Sequence, residues 1–72
     1  MQHVEWSDVD HTTVEVAERG ANIGDDEVSE QCALVIGTEN STQVIEGDMG
    51  ELLALAGMIT ATVHARWMNG AT

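Results

Sequence analysis

Three groupings of residues have the types and spacing that could do chemistry. Asp8, Asp10 and His11 form Asp-x-Asp-His, which would set two carboxylates and an imidazole near a divalent cation. A calcium loop needs further oxygen ligands and a glycine at fixed offsets. Neither follows here, and a polar turn accounts for the same residues. Asp25-Asp26-Glu27, with Glu30, would attract cations weakly, but a run of charge is ordinarily a solvated surface. Gly20-x-x-x-Gly24 has the glycines of a phosphate loop but lacks the Lys-Ser/Thr and the helix that would use it.

Cys32 is the single cysteine, so no internal disulfide can form, and no Cys/His cluster offers a zinc site. None of the histidines bears a sequence relation to it, and a thiol buried in a strand is inert, so Cys32 reads as a small core residue. His64 is either an ordinary surface histidine or, at an interface, a group that makes association pH-sensitive. Trp6 and Trp67 are the only aromatics, each a core or interface anchor, and the two could meet under a sheet. No catalytic residue, metal ligand or cofactor-binding residue is assigned. The chain reads as something other than an enzyme.

The elements that would position these residues are bounded first by composition. At 72 residues the chain is one small domain, 1–72, of a size that buries only about 60% of its unfolded surface. Such domains lean on a disulfide, a metal or a partner, and with the first two lacking, oligomerisation is the support that remains. Thirteen acidic residues face two arginines and no lysine, a formal net charge of −11. Direct nucleic-acid binding and anionic membranes are thereby excluded as partners, because neutralising phosphates takes clustered Lys and Arg. The hydrophobic share of 43% argues for a folded rather than a disordered chain. Leu52 to Val63, the longest stretch free of charge and histidine, is well short of the roughly 18 residues of a membrane span. The opening Met-Gln-His-Val-Glu-Trp has no basic region followed by an apolar run. A cytoplasmic protein is expected, in host-cell cytoplasm if the source is viral, and the lone cysteine suits that reducing compartment.

Along the chain, Val4 to Ser7 and Thr12 to Glu18 alternate and predict two strands, with a polar turn between them. Arg19 to Glu30 is a loop with a helical turn near Asp26 to Ser29. Gln31 to Thr38, apolar on both faces, predicts a central strand. Thr38-Glu39-Asn40-Ser41 is its turn, and Thr42 to Glu46 its hairpin partner. Asp48 with Glu51 three residues on forms a capping box for a helix to about Trp67. Arg66 complements the far end of the helix dipole, and Gly70 ends the helix. The fold class is α+β: a small antiparallel sheet (β-β-loop-β-β-α) with one C-terminal helix packed on one face.

At about 100° per residue, Met49, Leu52, Leu53, Leu55, Ala56, Ile59, Val63 and Trp67 form a stripe expected to face the core. The opposite side carries Ala54, Gly57, Met58, Ala61, Ala65 and Met68, with His64 at its margin. Gly57, Ala61 and Ala65, four apart, let another helix approach closely, and the exposed methionines make an adaptable contact surface. Alanine is also simply a strong helix former that tolerates exposure. The interface reading makes Ala54, Gly57, Met58, Ala61, His64, Ala65 and Met68 the seam of a two-fold homodimer.

The run Ala33 to Ile59 carries a hairpin, then Gly47-Asp48, then a Leu/Ala-rich helix. In this it resembles small acidic proteins of actinobacteria and their phages, and the lack of lysine is similar to high-GC genomes of that kind. The resemblance covers a little over a third of the chain and implies no activity. The function expected is that of a small acidic accessory or regulatory protein of phage type, which homodimerises and binds a host or viral protein. Two alternatives stand beside it. One is an acidic mimic of nucleic acid that blocks a DNA-binding protein. The other is a protein whose charge is an adaptation to salt, with an unrelated function.

Overall fold

The computed structural model describes residues 4–70, and these form an antiparallel sheet with one C-terminal helix, a small α+β fold. A single 3-10 turn, Val9–His11, leads into β1 (Thr13–Glu18). A short arm made of β2 (Asn22–Ile23) and β3 (Asp26–Glu27) follows. β4 (Cys32–Gly37), β5 (Thr42–Gly47) and α1 (Met49–Gly70) complete the chain. The main sheet has the order β1-β4-β5, both pairs antiparallel, so the strand with apolar residues on both faces is the central one.

Register decides what each face holds. Val16 pairs with Leu34, and Leu34 with Ile45, so Val14, Val16, Cys32, Leu34, Ile36 and Ile45 share one face. The helix rests there through Leu52, which packs with Cys32 and Leu34 while Ile36, Ile45 and Leu55 close around them. The other face presents Ala17, Ala33, Val35 and Val44. The β2–β3 arm folds over it, and Val28, Ala33 and Val35 are buried between. Glu46 on this face ties the arm down: its Oε1 accepts hydrogen bonds from Ser29 N (2.7 Å), Ser29 Oγ (3.1 Å) and Glu30 N (3.2 Å).

Two local expectations are corrected. Val4 to Ser7 joins no ladder; Val4 and Trp6 are exposed, and the Trp6 carbonyl accepts from Asn40 Nδ2 at 2.7 Å. Two apolar residues gave that segment too little to bury, so it lies against the β4–β5 turn rather than on β1. Asp26 to Ser29 is not a helical turn, because Asp26 and Glu27 pair with Ile23 and Asn22. Gly24, at φ +64, occupies the first central position of a two-residue hairpin loop, where a type II′ turn needs glycine.

The helix departs most from expectation, for a reason of length. Its 22 residues span about 33 Å, while the six-residue strands beneath reach only about 20 Å. Of the stripe expected to face the core, Leu52 is buried (5% exposed) and Leu55 half-buried. Met49, Leu53, Ala56, Ile59, Val63 and Trp67 are exposed. α1 extends to Gly70, three residues past Trp67, so Arg66 is not in the last turn and that turn holds no basic residue. The molecule measures 46 × 28 × 27 Å with a radius of gyration of 14.4 Å. A compact domain of this length would have about 11 Å.

Candidate functional site

The reciprocal capping box forms as its spacing predicts and sets where the helix starts. Glu51 N donates to Asp48 Oδ1 (2.8 Å), and Asp48 N donates to Glu51 Oε1 (2.9 Å). Gln31 Oε1 takes the next free amide, Met49 N, at 3.0 Å, joining the helix start to the entrance of β4. Gly47 leaves room for this junction: a Cβ there would lie 2.8 Å from Glu51 Oε1 and would push that carboxylate out of the box. Together these contacts fix the angle at which α1 leaves the sheet, so the first two turns are seated and the remainder overhangs.

From Ala56 onward every residue of the overhang is exposed. The seam residues Ala54, Gly57, Met58, Ala61, His64, Ala65 and Met68 all lie on this open helix. The structure adds a second apolar surface to them. Ile59 (47% exposed), Val63 (64%) and Trp67 (65%) continue the line of Leu52 and Leu55 past the end of the sheet. With Thr60 and His64 they line an open groove on the helix. The Trp67 indole stacks on the His64 ring, centroids 6.3 Å apart and planes 22° from parallel. Trp6 is exposed as well, so the two tryptophans do not meet under the sheet.

The sheet has a matching open area. Val14 (64% exposed) and Val16 (53%) lie on the helix-bearing face of β1, beside the part that Leu52 covers. One helix is too narrow for a three-stranded face. Alternation sets these valines on one face of a strand, and only their neighbours in space show that the helix does not cover them.

Elsewhere the residues with chemical potential are dispersed. Asp8 caps nothing with its side chain, and its carbonyl accepts from His11 N (3.3 Å) and Thr12 Oγ1 (3.1 Å). Among the described residues, no three His, Cys, Asp or Glu side chains gather as a metal-ligand set. Cys32 is buried, its thiol donating to the Gly47 carbonyl at 3.4 Å. Glu46 is held below the usual glutamate range, first by the Ser29 backbone amide and then by that of Glu30. Charge is segregated: of the 13 acidic residues, Glu51 alone lies in the helix. Beyond it the helix carries no formal charge but that of Arg66. Among the described residues no helix is long and apolar enough to cross a membrane. No family model, curated protein or solved structure matches the chain.

Proposed function

We propose that the chain is a small acidic, non-enzymatic interaction protein, which self-associates through its C-terminal helix and binds a further protein of its cell or virus. The observation that carries this reading is the helix overhang. About two thirds of a 22-residue helix, from Ala56 to Gly70, stands clear of its own sheet with Ile59, Val63 and Trp67 uncovered. Isolated helices of such length are marginal in water, and most helical stability comes from packing an apolar face. Contiguous apolar surface of this kind marks contact with another macromolecule. Light scattering on the purified protein at high micromolar concentration tests it: a particle of twice the chain mass is expected, and a monomer there rules out the self-association.

The separation of charge favours a second reading. The acidic residues lie on the sheet domain and the helix start, the head of the molecule, and leave the helix beyond Glu51 free, so an assembly built on helices would display clustered carboxylates. Such a surface would mimic phosphates and block a DNA-binding protein, without binding nucleic acid itself. The target would then be released by competing DNA in a salt-dependent way. Partners that bind no nucleic acid would count against it.

A further inference from the structure

We infer that the distal half of α1 completes the sheet of a second copy of this chain, with Ile59, Val63 and Trp67 of each protomer seated beside the partner's Leu52 on the open side of its sheet, over the valines of β1. The two helices lie antiparallel about a two-fold axis near the level of Gly57 and Met58, which sets Val63 of each opposite Leu52 of the other. This deepens the proposed function, and it rests on the reading that the helix is the element of association.

The argument is one of complementary deficits. The helical line that seats Leu52 and Leu55 on their own sheet continues through Ile59, Val63 and Trp67 with no sheet beneath it. The sheet, in turn, leaves Val14 and Val16 bare on the face where Leu52 sits. Each protomer therefore has a stripe without a sheet and a sheet lacking its second helix. An arrangement in which each copy supplies what the other lacks is self-complementary, as a two-fold axis requires. Parallel helices would pair stripe with stripe and leave both sheets open, so the antiparallel arrangement is the one that satisfies both.

Area leaves room for one more copy. The chain exposes 6025 Å². A folded monomer of its mass would expose about 4,300 Å², roughly 1,700 Å² less. Obligate homodimers remove upwards of about 1,000 Å² from each partner, so the excess accommodates one such interface. Electrostatics permits it along the helix, since Arg66 is the only formally charged side chain between Leu52 and Gly70. The small-residue face, with Ala54, Gly57, Ala61 and Ala65, points away from the sheets in this dimer and remains open to a different protein.

Sedimentation of full-length variants and a disulfide trap test the arrangement. Val63→Glu places a charge in the seat and should raise the dimer dissociation constant about 100-fold or more. Ala61→Glu, on the outward face, should raise it less than about 10-fold. In a Cys32→Ala background, chains carrying Val16→Cys mixed with chains carrying Val63→Cys should form a disulfide between the two kinds of chain under mild oxidation. The trap decides where both glutamate variants dissociate. A dimer broken by Ala61→Glu but not by Val63→Glu, with no such disulfide, overturns this arrangement and leaves helix-mediated association standing. A wild-type monomer at every concentration overturns both.

Discussion

Glu46 Oε1 receives three hydrogen bonds from Ser29 and Glu30, which reach it across 16 and 17 residues of chain. Those bonds favour the carboxylate, and they hold Glu46 below its ordinary value. A group whose folded-state value is lowered contributes stability that is fully present above its unfolded value and is lost as pH falls through the folded one. Glu46→Gln keeps the shape and removes the charge. The variant should melt below the wild type at neutral pH, and the gap should close as pH drops below the ordinary glutamate range. A gap in melting temperature independent of pH would show that the charge contributes nothing. Nothing in the spacing of the sequence announces this contact, because the partners meet only once the arm has folded over the sheet. Local pattern did expose what it could at the residue scale. Cys32 reads as a core residue from its strand and is one, buried with its thiol on the Gly47 carbonyl.

The helix start is the element most fully specified by local sequence. Its two reciprocal hydrogen bonds join residues three apart, so the capping box needs no tertiary information to form. Asp48→Ala removes the acceptor for Glu51 N and should cost about 1 kcal/mol, or roughly 4–8 °C in the melting temperature of a domain this size. Thermal melts followed by circular dichroism measure that. The same local character made β1, β4 and β5 legible to within a residue at their ends, since β1 alternates, β4 is apolar on both faces and the polar turn Thr38 to Ser41 marks β5 as its hairpin partner. Val4 to Ser7 misled because two apolar residues mimic a strand without enough surface to hold one. The β2–β3 arm escaped for the opposite reason. Its strands are two residues each, too short for any period, although Gly24-Asp25 between Ile23 and Asp26 is a hairpin dipeptide that could have been read. For the helix, periodicity found both apolar faces but could not tell which surface each one meets. Comparing its length with that of the strands shows that one sheet cannot reach Trp67.

At the scale of the molecule, stability is inseparable from that overhang. Among the described residues the buried core consists of Val28, Cys32, Ala33, Leu34, Val35 and Leu52, a small set on which to fold a chain of 72 residues. If association supplies the rest, unfolding is coupled to dissociation and the melting temperature must depend on protein concentration. Tenfold more protein is worth about 1.4 kcal/mol per dimer, which should raise the midpoint by roughly 4–5 °C for a two-chain unit of this length. Calorimetry over two decades of concentration checks this, and a constant midpoint would mean that the sheet and the first helical turns stand alone. Charge sets the second dependence. Each head carries nearly all of a net charge of −11, and a dimer brings two heads onto one pair of helices. Their repulsion opposes both folding and association and is screened within about a Debye length, near 8 Å at physiological ionic strength. The midpoint should therefore rise from low salt to about 0.5 M, and more steeply where the protein is dimeric than at dilutions where it is not. Equal slopes at both dilutions would place the repulsion within each head, and the acidic surfaces of the two copies would then lie too far apart to sense one another.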